Sequence, residues 1–196
     1  SPMSAASPVM SKARAHAALT APGAPFAMEE RLIRGVPTRV FRHAPATLGQ
    51  VFETSQTFAD REFIVFENER IGFTDFGKAT KVFAARLLAD GVRKGDRVAV
   101  LMSNLPEWPV AFYAASLIGA IVAPLNAWWT GPELAFALAD SGATVLICDA
   151  DRWSRLVDRR HAFSELEQVY VCRGGETVAA RRLEEVIGTT SSWRGL

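Results

Sequence analysis

A chain of 196 residues can bury one core, and 49% hydrophobic side chains exclude a wholly disordered or low-complexity protein. Lys and Arg number 22 against 21 Asp and Glu, so a formal net charge of +1 excludes the basic surplus that displaces counterions from nucleic acid. The two cysteines, Cys148 and Cys172, lie in apolar runs without metal-ligand spacing; they read as reduced, buried small hydrophobes, which points to the cytoplasm.

The opening Ser1-Pro2 before Met3 reads as a cloning scar, and the Ala/Pro/Ser-rich text that follows has neither apolar periodicity nor the continuous apolar run of a secretory signal. A flexible leader is expected over 1–28. From Thr47 helical and strand patterns alternate: Thr47 caps a helix carrying Leu48, Val51, Phe52 and Phe58, and 63–73 reads as a small β-hairpin near the start of the ordered chain. Thr74 is expected to cap the next helix, with Phe76, Val82, Phe83, Leu87 and Leu88 as its apolar stripe and Gly91 as its stop. After the buried strand "RVAVLM", the text predicts a helix over 106–119, a strand over 121–123, a helix over 132–140, a strand over 144–148 and a helix over 152–162. A strand over 168–172, a Gly174-Gly175 turn and a last helical segment near 179–186 follow. β-rich runs separated by helices imply an α/β fold: an open, mostly parallel sheet flanked by helices on both faces.

Residues 108–132 carry no charge and are numerous enough to span a bilayer, but Pro109, Gly119, Pro124 and Asn126 interrupt them. A buried helix running into a buried strand accounts for the same letters, so no transmembrane segment is expected.

Ligands of open parallel sheets sit outside the carboxyl ends of the strands, here "SNLPEW", "LNAWWT", "DAD" and "RGG". Ser103 and Asn104 read as a helix cap, Asp149 and Asp151 as caps of the following helix, and Arg152, Arg155, Arg159, Arg160 and His161 as a solvated basic face. "GTTSS" over 188–192 has the residue types of a phosphate loop but no lysine after it and no strand before it, and it reads as loop. His16, His43 and His161 stand alone, without a metal cluster or a nucleophile elbow. The residues by themselves predict no catalytic group and no metal site, and leave cofactor-binding residues open.

One ordered set is distinctive. "GVRKGDRV" leads into a strand, Asn104 and Glu107 open the next helix, "GA" precedes a strand, "PLN" follows it, and "EL" and "DSGA" come after. Over roughly 47–172 this resembles the N-terminal region of the adenylate-forming (ANL superfamily) acyl-CoA synthetases. The resemblance implies a parent enzyme that uses ATP and Mg2+ to turn a hydrophobic, fatty carboxylic acid into an acyl-adenylate, which the thiol of CoA then attacks to release AMP. A carboxylate is a poor electrophile until its oxygen becomes a good leaving group, hence the adenylate.

The family's phosphate loop, its adenine- and ribose-binding motifs and its C-terminal lysine all lie further along than Leu196, so no catalytic residue carries over. Residues 29–196 are therefore expected to be the N-terminal α/β portion of an adenylate-forming domain, inactive alone and without tight binding of ATP, Mg2+ or CoA. The expected partners are the remainder of the same polypeptide, the small-molecule acid in the parent, and a second copy through apolar surface left exposed. The alternative is a stand-alone, non-catalytic binding or interaction module of the same fold. In the "PLN" segment Asn126 is expected to fix the loop through its amide, while Trp128 and Trp129 are expected chiefly in core or interdomain packing, with contact to a substrate pocket as the second reading.

Overall fold

The computed structural model describes residues 10–175, 177 and 179–196, and the chain divides into two units, Ser1–Ala46 and Thr47–Leu196. The first holds α1 (Lys12–Thr20) and a hairpin of β1 (Met28–Ile33) and β2 (Val36–Phe41). Ser11 caps α1, its Oγ accepting from Arg14 N at 3.3 Å. No residue of α1 is buried, which is why apolar periodicity gave no sign of it; alanine-rich propensity alone favours the helix. Arg34 and Gly35, both with positive φ, form the two-residue turn that sets the Ile33–Val36 register. The leader expected to be flexible contains α1 and reaches the start of the hairpin; its first nine residues lie outside those described.

In the second unit α2 (Leu48–Gln56) starts at Thr47, whose hydroxyl accepts from Gln50 N. The predicted hairpin forms as β3 (Glu62–Phe66) and β4 (Glu69–Gly72), and α3 (Phe73–Ala89) follows without a break. Its N-cap is Gly72 rather than the expected Thr74, because the chain turns straight from the hairpin into the helix. Then come β5 (Arg97–Leu101), α4 (Glu107–Leu117), β6 (Ile121–Pro124), α5 (Gly131–Ser141), β7 (Val145–Asp149), α6 (Ala150–Ser154), β8 (Gln168–Cys172), β9 (Arg181–Arg182) and α7 (Glu184–Ile187).

The five strands β6-β5-β7-β8-β9 form one parallel sheet. Alternation along each strand sorts its side chains to two faces. Val98, Val100, Val145, Ile147, Tyr170 and Cys172 meet α2, α3, α4 and α7 on one face. Ala99, Leu101, Leu146, Cys148, Val169 and Val171 meet α5, α6 and the turn after it on the other. This is the doubly covered α/β sheet that the sequence predicts, and both cysteines are free and buried within it.

The helix expected over 152–162 breaks after Ser154 into a 3₁₀ turn, Val157–Ala162, which brings Leu156 and Phe163 into the second core face. The helical segment expected near 179–186 is shorter. Arg181 and Arg182 instead add a fifth strand to β8, and α7 begins at Glu184. The text from Gly188 onward is not free loop either, since Trp193 is fully buried against the first face. Among the described residues, no helix is long and apolar enough to cross a membrane.

Candidate site at the carboxyl edge of the sheet

The strand order reverses around β5: β6 lies on one side of it and β7 on the other. In open α/β sheets the crevice at such a reversal is where ligands enter, above the carboxyl ends of the two diverging strands. Here that position lies between Ser103, after β5, and Asp149, the last residue of β7. The chain fills it. Asp149 Oδ2 accepts from Ser103 N at 3.0 Å and from Ser103 Oγ at 3.4 Å, while Oδ1 accepts from Arg152 N at 2.9 Å and caps α6. Arg152 Nη1 pairs with Asp149 Oδ2 at 3.1 Å, and both residues are buried. Arg152 Nε then crosses to the loop after β6, donating to Ala127 O at 3.0 Å.

Two sequence expectations change as a result. Ser103 is not a helix cap, since α4 begins at Glu107 with Pro106 at its N-cap and no side-chain cap, and Ser103 serves Asp149. Nor do the arginines of 152–160 form a uniformly solvated face, since Arg152 is a buried strut between the end of β7 and the loop after β6. Asp149 does cap the next helix, as expected.

The loop over 125–130 is fixed from several sides. Asn126 Oδ1 accepts from Trp128 N at 2.9 Å, the local backbone bond expected of it. Arg155 donates to Ala127 O and Trp129 O, each at 3.3 Å. Glu133 accepts from Thr130 N at 2.8 Å, which closes the start of α5 and lowers the pKa of the Glu133 carboxyl. Gly131 is required there because a Cβ would lie 2.7 Å from Arg155 O.

On this frame neither tryptophan enters the core. Trp128 is 82% exposed, with the Arg152 guanidinium 5.7 Å from its ring centre, and Trp129 is 37% exposed. They flank different concavities. Trp128 lines a cleft of about 540 Å³ with Phe66, Met102, Ser103, Asn104, Leu105, Trp108 and the segment 124–127. Trp129 lines an apolar groove of about 710 Å³ with Leu125, Pro132, Phe136 and Ala137, rimmed by Glu133, Asp140 and Ser141. Asn126 belongs to the cleft.

A second charged node stands after β8. Arg173, at φ 59°, pairs with both carboxylate oxygens of Glu69 at 2.6 and 2.9 Å and with Glu107 Oε1 at 2.8 Å. Its backbone N donates to Glu184, and Thr190 of the "GTTSS" stretch donates to Glu69. Burial raises the pKa of Glu107 above the usual carboxylate value, outweighing the arginine beside it, and Glu107 Oε2 has no hydrogen-bond partner. For the less buried Glu69, hydrogen bonding to Arg173 prevails and the pKa falls.

Sequence reading missed Arg152, Arg173, Glu107 and the Ser103–Asp149 bridge. The visible signal was Asp149 three residues before Arg152; the contacts of Arg173 with Glu69 and Glu107 join positions 104 and 66 apart in the chain.

A family model described as AMP-binding enzyme matches residues 51–193. The long-chain-fatty-acid–CoA ligase of Salmonella typhimurium is 30% identical over 149 residues, 75% of this chain and 26% of its own. The long-chain-fatty-acid–CoA ligase FadD13 of Mycobacterium tuberculosis is 47% identical over 64 residues, 33% of this chain and 13% of its own. Among solved structures, the long-chain-fatty-acid–CoA ligase FadD1 of Archaeoglobus fulgidus superposes with a TM-score of 0.64 at 25% identity, covering 74% of this chain and 30% of that one. The chain spans about a quarter of the length of the first curated relatives it matches.

Proposed function

The chain belongs to the AMP-binding enzyme family, and from that membership we propose that it is the N-terminal part of an ATP-dependent acid–CoA ligase acting on a hydrophobic, fatty carboxylic acid in the cytoplasm. The observation that carries this reading is the family match through the whole parallel sheet, joined to relatives that are themselves named long-chain-fatty-acid–CoA ligases. In the parent, ATP, Mg2+ and CoA are used and the acid leaves as its thioester; the remainder of the polypeptide supplies the reacting groups.

The described residues do not fit a magnesium ion. They contain no group of three or more acidic, histidine or cysteine side chains able to hold one, and Asp149, Glu107 and Glu69 are each engaged by an arginine. Arg152 and Arg173 are likewise spent on carboxylates and carbonyls, which leaves them poorly placed to receive a triphosphate. We read this portion as a frame, inactive alone, whose loop over 125–130 meets the acid or the remaining polypeptide through Asn126, Trp128 and Trp129.

The test is acid-dependent AMP release by the full-length protein, with the 196-residue chain as the comparison. Activity in the former and none in the latter is expected. Acyl-adenylate formation by the short chain would overturn its inactivity, and a full-length protein without ligase activity would leave the non-catalytic module as the reading to adopt.

A further inference from the structure

We propose that the cleft at the carboxyl ends of β5 and β6 binds a small, uncharged molecule with a flat apolar ring that stacks on Trp128, and that Arg152 is the positioning residue that holds the indole for it. The cleft shares Asn126 and Trp128 with the loop that the ligase reading turns toward the acid or the remaining polypeptide, but the proposal does not rest on that reading, because its titration uses the 196-residue chain and no ligase activity.

The topology places it. The crevice between β5 and β7, where a ligand would ordinarily sit, is taken by the buried Asp149–Arg152 pair bonded to Ser103. Open space is displaced to the other side of β5, above β6, where the cleft of about 540 Å³ lies. That volume suits a two-ring molecule.

The lining sets the chemistry. Trp128, Trp108 and Phe66 supply aromatic surface, and Asn104 and Asn126 supply side-chain amides; no charged residue lines the cleft. Arg152 borders it through the ring of Trp128, with Nε on Ala127 O and Nη1 on Asp149 and Asp151. A phosphate or carboxylate would meet no charged side chain among the described residues that line the cleft, whereas a neutral carbonyl or amide group could pair with the asparagines.

Trp128 is also ready for stacking. An indole that is 82% exposed would ordinarily sample several rotamers, yet this one follows an Asn126 backbone bond and lies against a guanidinium that is itself buried. Ordering done in advance is affinity kept when a ring arrives.

The experiment is a titration of the 196-residue chain with naphthalene-2-carboxamide, followed by the indole N–H resonances of its tryptophans, with naphthalene-2-carboxylate and cyclohexanecarboxamide as controls. Saturable movement of the Trp128 resonance is expected with the aromatic amide, with weaker binding of both controls. Trp128→Ala, at an exposed position where the fold is retained, should weaken the aromatic amide about tenfold, the scale of one stacked ring.

Arg152→Lys tests the positioning role. If Arg152 orients the indole, the preference for naphthalene over cyclohexane collapses; if it merely supports the fold, both affinities fall by the same factor and that role is overturned. Should this variant not fold, Trp128→Ala and Asn104→Ala still decide the site. Carboxylate binding as tight as the amide, no movement of Trp128, or unchanged affinity in Trp128→Ala would each overturn the proposal.

Discussion

Two arginines stand at the same edge of the same sheet and do different things. Arg152 pairs with a buried carboxylate, reaches a backbone carbonyl and is shut away from water; Arg173 pairs with two carboxylates and keeps about a third of its side chain exposed. Around Arg152 each charge has its counterpart, and the structure closes there. At Arg173, Glu107 holds one oxygen bonded and one oxygen buried without a partner, so a proton can substitute for part of the ion pair. Burial and completeness, rather than residue type, separate a fixed strut from an adjustable tie.

The largest effect that would break this contrast is expected at Asp149. Asp149→Ala leaves the Arg152 guanidinium buried without its counter-charge and Ser103 N without its acceptor, and should cost about 3–5 kcal/mol, read from the urea midpoint at unchanged slope. A cost below about 1 kcal/mol would mean that water already reaches the pair.

Arg173→Ala should cost less, about 1–3 kcal/mol near neutrality, because its surroundings are partly wet and Glu107 can take up a proton. The loss should shrink on acidification. Glu69, whose pKa Arg173 lowers, contributes stability that is present above its unfolded value and is lost as pH falls through the folded one, so the variant has less to lose in acid. A loss independent of pH would sink the idea of an adjustable tie.

Glu107→Gln sharpens the same point. With a raised folded pKa, Glu107 holds its proton more tightly in the folded chain, so between the unfolded and folded values its contribution declines as pH rises. The glutamine variant should lack that decline, and its stability relative to the parent should climb with pH over that window. The smallest effect is expected at Trp128: Trp128→Ala should change stability by no more than about 0.5 kcal/mol, since the indole is exposed.

What could be read in the letters followed the range of each interaction. The five-residue run Gln168–Cys172 matches its strand throughout, because alternating burial on two covered faces leaves a continuous apolar run. Asn126 was legible because its bond is to a residue two positions on. Helix α1 was missed because nothing on it is buried, and β9 because two arginines carry no apolar pattern even where they pair with Tyr170 and Val171. Trp128 and Trp129 were expected chiefly in core or interdomain packing; neither lies in the core of this chain, and the guanidinium beside Trp128 comes from a residue 24 positions later, which no local pattern encodes.

The buried Asp149–Arg152 pair occupies the crevice between β5 and β7, and we propose that it leaves no nucleotide site there. The most direct measurement is a titration of the 196-residue chain with Mg-ATP to millimolar concentration, following the backbone amide resonances of Ser103, Asp149 and Arg152. The account predicts that none of the three moves in a saturable way. Saturable shifts at these amides would contradict it, because they would mean that the ion pair opens to admit the nucleotide.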